Sequence, residues 1–136
     1  MKAKVLLVDD EPDFVQLAEY NLTRQGYEVF AAANGVEALH QARRILPDLI
    51  LLDLMLPDID GVSVCEILRA QPSTADVPVI VVSALDGMVS RGRSSDAGAR
   101  GYFKKPVDLQ ALTDRVRSVV AEQQAQNRSK SDEKEV

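Results

Sequence analysis

Five short apolar runs punctuate the chain: residues 4–8 (KVLLV), 28–32 (EVFAA), 49–52 (LILL), 79–82 (VIVV) and the weaker 101–103 (GYF). The first, third and fourth carry no polar alternation, the pattern of strands buried on both faces of a parallel sheet. Between the runs lie segments of helical period. Pro12 suits a first helical turn, with Asp10 or Glu11 before it as a cap, and Phe14, Leu17, Ala18 and Leu22 follow until Gly26. Asn34 can cap a second helix over about 36–44 that stops before Pro47, and a third spans about 62–70 with Val64, Cys65 and Leu68 on one face. A fourth, around 89–97, is the weakest, because Gly92, Ser94 and Ser95 are mediocre to poor helix formers. The last begins near Asp108 and carries the stripe Leu109, Leu112, Val116, Val119, Val120.

Strand and helix alternate five times, which predicts one doubly wound α/β sheet with helices on both faces. In such sheets the ligand crevice lies at the carboxyl ends of the strands. Beyond Glu122 the stretch QQAQNRSKSDEKEV has no large apolar residue before Val136, so residues 1–122 form the expected domain. Residues 123–136 are expected to be a disordered polar tail or a truncated linker.

The residues at the strand ends change the picture from fold to chemistry. The first run ends in Asp9 and Asp10, followed by Glu11; the third ends in Asp53, the fourth in Ser83, and the fifth leads to Lys104, Lys105 and Pro106. Carboxylates placed close together raise one another's pKa unless a cation sits among them. All-oxygen ligation selects hard Mg²⁺ or Mn²⁺ over zinc or copper. A carboxylate beside such an ion and a lysine is equipped to attack phosphorus, and a neighbouring hydroxyl can bind a phosphoryl oxygen of the product.

Composition narrows the alternatives. In 136 residues the net charge is −5, which leaves no electrostatic footprint for nucleic acid and argues weakly against an anionic membrane surface. The single cysteine, Cys65, excludes an intramolecular disulfide and a cysteine-based metal site. The apolar run after Met1 and Lys2 stops at Asp9, so no secretory signal is expected, and no run reaches membrane-spanning length; a cytoplasmic location follows as the expectation.

VLLVDDEPD, LILLDLMLPDIDG, VIVVSALDG and GYFKKPVD together resemble the four signatures of the response-regulator receiver family of two-component signalling, the CheY-like superfamily. The match covers about residues 3–122. The resemblance implies a flavodoxin-like sheet in strand order 2-1-3-4-5 with five helices. It implies that Asp53 accepts the phosphoryl group and that Asp10, Asp53 and the backbone carbonyl of Met55 bind Mg²⁺, with Asp9 acting mainly through water. Lys105 and Ser83 serve the transfer by the same resemblance. Ser83 and Tyr102 form the switch, the ring turning inward as Ser83 moves toward the phosphate, and the Lys105–Pro106 peptide is cis. The donor is then a histidine kinase or phosphotransfer protein. Output passes to a downstream protein or to an output domain absent from this chain. Such a protein catalyses only its own phosphorylation and dephosphorylation.

The chain also departs from the family pattern. Arg100 and Gly101 follow Gly98 and Ala99 where DNA-binding members often carry two acids, which puts their charge-paired dimer face in question. Arg91, Arg93, Arg100 and Lys104 form a basic strip that suits an acidic partner, or a merely solvated face. Met55 and Leu85 are apolar where side chains influence access of water to the phosphate, so a long-lived phosphorylated form is an expectation. His40 reads as an exposed or half-packed residue and Cys65 as a small buried hydrophobe. Asp58, Asp60 and Gly61 read as a turn in which Gly61 supplies a permissive conformation. The competing class is a Mg²⁺-dependent phosphohydrolase with an aspartyl nucleophile, resembling haloacid-dehalogenase-like enzymes. Their nucleophile ends the first strand in a DxD pattern, and the chain has no residues to spare for a cap. A flavodoxin-like cofactor binder is disfavoured by the acid pair after the first strand.

Overall fold

The structure, a computed structural model, describes residues 2–85 and 87–135, without the side chains of residues 89 and 130–135. Asp86 of the third signature and Val136 of the tail lie outside the described residues.

The elements alternate as β1 (Lys4–Val8), α1 (Pro12–Arg24), β2 (Glu28–Ala32), α2 (Gly35–Ile45), β3 (Leu49–Leu52), α3 (Gly61–Ala70), β4 (Val79–Ser83), α4 (Met88–Asp96), β5 (Tyr102–Lys104) and α5 (Leu109–Glu135). The strands form one parallel sheet in the order β2-β1-β3-β4-β5. Because side chains alternate across a strand, the apolar runs divide between two cores. Leu6, Val8, Ile50, Leu52, Val79 and Val81 face α2 and α3 through Ala38, Leu39, Ala42, Val64, Cys65 and Leu68. Val5, Leu7, Leu49, Leu51, Ile80 and Val82 face α1 and α5 through Ala18, Leu22, Leu112, Val116, Val119 and Val120. Each fully buried Leu or Ile contributes roughly 1.5–3 kcal/mol. That exceeds what any exposed ion pair supplies, so packing against the sheet sets the frame.

Capping follows the sequence in part. The Asn34 side chain accepts from Glu37 N–H, and the Glu37 carboxylate accepts from Ala33 N–H, a reciprocal cap on α2. Glu11 occupies the cap position of α1 but makes no side-chain cap bond. Helix α4 is held from the α3 side: Arg69 donates to the Asp96 carbonyl (3.0 Å) and Arg93 to Asp60 (3.2 Å).

Two expectations require correction. The polar stretch after Glu122 continues α5 as helix to Glu135. Glutamine, alanine, lysine and glutamate are adequate helix formers once a docked helix removes the cost of nucleation. Gln123 is buried and donates to the Asp76 carbonyl (2.9 Å), so the packed part extends past residue 122.

Gly61 is needed for space rather than for an unusual φ. Its φ is not positive, whereas a Cβ there would lie 2.5 Å from Leu54 Cα and 2.7 Å from the Asp53 carbonyl oxygen. Gly61→Ala is therefore expected to destabilise by about 1–3 kcal/mol through backbone displacement. A denaturant midpoint equal to that of the parent would contradict this crowding.

Asp58 does more than form a turn. From the β3–α3 loop it accepts the N–H groups of Gly35 (2.7 Å) and Val36 (2.9 Å), capping α2 from a distance, and that of Ile59 (2.8 Å). The bonds from Val36 and Gly35 hold its carboxyl below the usual carboxylate range. A carboxyl lowered by folding stabilises above its unfolded value and loses that contribution as pH falls through the folded value. Asp58→Asn should thus lower the melting temperature at neutral pH, and the difference from the parent should shrink on acidification below about pH 4. An equal difference at both pH values would refute the link.

Candidate functional site

The sheet registry determines which side chains meet. Val8 of β1 pairs with Leu52 of β3, so Asp9 and Asp53, each one residue later, emerge side by side. Asp53 N–H donates to the Val8 carbonyl (2.9 Å) and Asp9 N–H to that of Ala32 (3.0 Å), which fixes both backbones. On the other side, Ser83 pairs with Lys104, and Lys105 N–H donates to the Ser83 carbonyl (2.9 Å), so the Lys105 side chain starts from the same rim. The Lys105–Pro106 peptide is cis.

Asp9 and Asp53 are only 2% and 3% exposed, while Asp10 is exposed. Carboxylate oxygens of Asp9, Asp10 and Asp53 lie within 4.8 Å of one another. The Lys105 ammonium donates to Asp9 (2.7 Å), Glu11 (2.9 Å) and Asp53 (3.2 Å). It also sits 4.6 Å from the centroid of the Phe14 ring, a cation–π contact. Burial pushes the Asp9 carboxyl up, opposed by the bonds from Lys105 and Glu11 N–H. Burial works against the Lys105 ammonium too, but its bonds to Asp9 and Glu11 and the charge of Asp53 outweigh that and hold it above the ordinary lysine range.

Among the described residues, three carboxylates (Asp9, Glu11, Asp53) thus meet one ammonium, and a fourth, Asp10, clusters with Asp9 and Asp53. The surplus of negative charge in a partly buried pocket calls for a further cation. The donors are all oxygen, with no imidazole or thiolate, so the trio fits a hard divalent ion.

The other expected residues take these positions. Met55 N–H donates to Asp53 Oδ1 (3.0 Å), holding the carboxylate's orientation. Ser83 is fully buried, and its hydroxyl accepts from Leu85 N–H (3.3 Å) in the loop that follows it. Tyr102 is half-buried against the α2–α3 core, and its hydroxyl donates to the Leu85 carbonyl (2.6 Å). Met55 and Leu85 are exposed. His40 is exposed and stands apart from the cluster. Cys65 is buried, its thiol pushed up to about 12 by burial and the charges of Glu66 and Asp60, which makes it inert. Of the basic strip, Arg93 pairs with Asp60 and Arg100 with Glu122. Sequence reasoning missed Glu11 as a partner of Lys105 and Phe14 beneath the ammonium. Only their closeness to Asp9 and Asp10 in the chain hinted at either.

Comparison with known proteins agrees with this geometry. Residues 5–117 match the family described as the response regulator receiver domain. Over 119 residues, 88% of this chain and 26% of the relative, the sequence is 44% identical to the response regulator PleD of Caulobacter vibrioides. The chain spans between a quarter and a half of the length of such curated relatives. A CheY-like receiver domain protein from Methanospirillum hungatei JF-1 superposes with a TM-score of 0.87 at 27% identity, covering 93% of this chain and 99% of that one. The receiver domain of the sensor histidine kinase PA1611 from Pseudomonas aeruginosa PAO1, with a magnesium ion in its active-site cleft, superposes with a TM-score of 0.81 at 31% identity, covering 89% and 99%. No helix of the described residues is long and apolar enough to cross a membrane. A buried aspartate beside an acid pair and a lysine, on this sheet and with these relatives, leads to one conclusion: the chain belongs to the response regulator receiver domain family, the phosphate-accepting module of two-component signalling.

Proposed function

We propose that Asp53 is the phosphoryl acceptor and that Mg²⁺, with Mn²⁺ as a substitute, is held by Asp9, Asp10, Asp53 and the backbone carbonyl of Met55. The observation that supports this most is the three-way reach of Lys105. Its ammonium is 2.7 Å from Asp9 but 3.2 Å from Asp53, so a group added to the Asp53 carboxylate comes within reach of a cation already in place. The Asp53 oxygen attacks phosphorus, the new P–O bond forms as the P–N bond of a phosphohistidine breaks, and the imidazole departs. Lys105 offsets charge on the equatorial oxygens, and Ser83, after rotating from its loop, donates to one of them. A bound divalent ion supplies the remaining positive charge. This domain catalyses only its own phosphorylation and the hydrolysis of the resulting acyl phosphate by the same groups.

Phosphorylation then favours an arrangement with Ser83 drawn to the phosphoryl group and Tyr102 seated inward, which changes the surface around α4 and β5. The donor is a histidine kinase or phosphotransfer protein in the cytoplasm. The output is a downstream protein or an attached output domain, and the receiver itself makes no direct contact with nucleic acid. The polar residues after Gln123 act as a tail or as a linker to a further domain. Met55 and Leu85 shield the phosphate from water, and a half-life of only seconds would remove that part of the reading.

The test is intact mass after incubation with acetyl phosphate and Mg²⁺. One phosphoryl group per chain is expected, carried on the peptide containing Asp53, and none is expected when a chelator is present from the start. Sustained turnover of a small phosphomonoester would instead indicate a phosphohydrolase.

A further inference from the structure

Arg91 lies in the first turn of α4, outside the cluster around Lys105, and its guanidinium carbon sits 4.6 Å from the centroid of the Tyr102 ring. The same ring packs against the core of the α2–α3 face, and its hydroxyl donates to the Leu85 carbonyl (2.6 Å). Leu85 N–H in turn donates to the Ser83 hydroxyl (3.3 Å). A continuous path of contacts therefore runs from α4, across the ring of β5, to the hydroxyl on β4. Beside the ring lies an open surface groove of about 440 Å³, lined by Tyr102 itself together with Arg91, Ser95, Arg100 and Arg115.

We propose that Arg91 is a positioning residue of the switch: its guanidinium, stacked on Tyr102, holds the ring in its seat and so favours the conformation that accepts and keeps a phosphoryl group. The stack is made with the ring in this seat, so an arrangement that carries the ring away from Arg91 loses its interaction energy. An arginine over a tyrosine face at an exposed site shifts an equilibrium roughly two- to fivefold. The proposal rests on the reading of Asp53 as acceptor and of Tyr102 as the switch residue.

The experiment titrates the full chain with beryllofluoride, a phosphoryl mimic, in the presence of Mg²⁺. Arg91→Ala should weaken binding roughly two- to fivefold, and Arg91→Lys should recover part of the loss, since an ammonium lacks the planar stack. In a Tyr102→Leu background Arg91→Ala should have no further effect. The same loss in that background would show that Arg91 acts on the anion by charge alone, and would overturn the proposal, as would an unchanged affinity in Arg91→Ala. An independent readout comes from 3-fluorotyrosine labelling, with the Tyr102 fluorine signal identified by its absence in Tyr102→Phe. Arg91→Ala should move that signal without beryllofluoride; an unmoved signal refutes the stack itself. If Asp53→Asn binds beryllofluoride as the parent does, the acceptor reading fails and takes this proposal with it, whatever the fluorine signal shows.

Discussion

Asp53→Asn is expected to abolish phosphoryl uptake from acetyl phosphate, whereas Asp58→Asn, five residues on, is expected to leave it intact. A carboxamide is a poor nucleophile toward phosphorus and cannot hold the product as an acyl phosphate. Misfolding will not explain the loss. Asp53 and Asp9 are both buried and carry like charge beside each other, so neutralising one relieves repulsion, and the melting temperature should hold or rise. Asp58 faces away, bonded to the start of α2, so its replacement disturbs a cap and not the chemistry. Labelling that survives in Asp53→Asn would mean that another group is the nucleophile.

Lys105→Ala should separate the transfer step from cation binding. With the ammonium gone, the charge that meets the equatorial oxygens is missing, and labelling should slow by about 10²- to 10³-fold, the usual cost of removing one preorganised donor. Divalent affinity should move the other way, because the carboxylates of Asp9, Glu11 and Asp53 lose the cation that now neutralises them. At about 4 Å and an effective dielectric of about 20, a unit charge is worth roughly 4 kcal/mol, so the gain should be readily measured by calorimetry. Labelling at the parental rate would exclude Lys105 from the transfer, and weaker cation binding would show that its role is to hold the pocket in shape.

Much of this was legible before any coordinates. Doubly buried parallel strands leave near-continuous runs such as LILL and VIVV, and the acids, the serine and the lysine stand directly at their ends. What stayed hidden depends on side chains crossing between elements. Asp58 reaches α2 across 23 positions of sequence, and nothing local marks it as a cap. Glu11 looked like a helix cap and instead turns to Lys105. Gly61 carried the signature of a turn, but its missing Cβ makes room for the backbone of Asp53 and Leu54. The helix after Glu122 was hidden because composition reports the lack of a buried face, not whether a docked helix continues beyond its last contact.

The pairing of Val8 with Leu52 has a consequence for how this molecule tolerates change. Because the sheet acts as a jig, extra residues spliced into the loops on the opposite edge, such as around 46–48, would leave the buried carboxylates of Asp9 and Asp53 where they are. One residue added inside 4–8 would turn Asp9 to the other face of the sheet, and the pocket would be lost although every residue of it were still present.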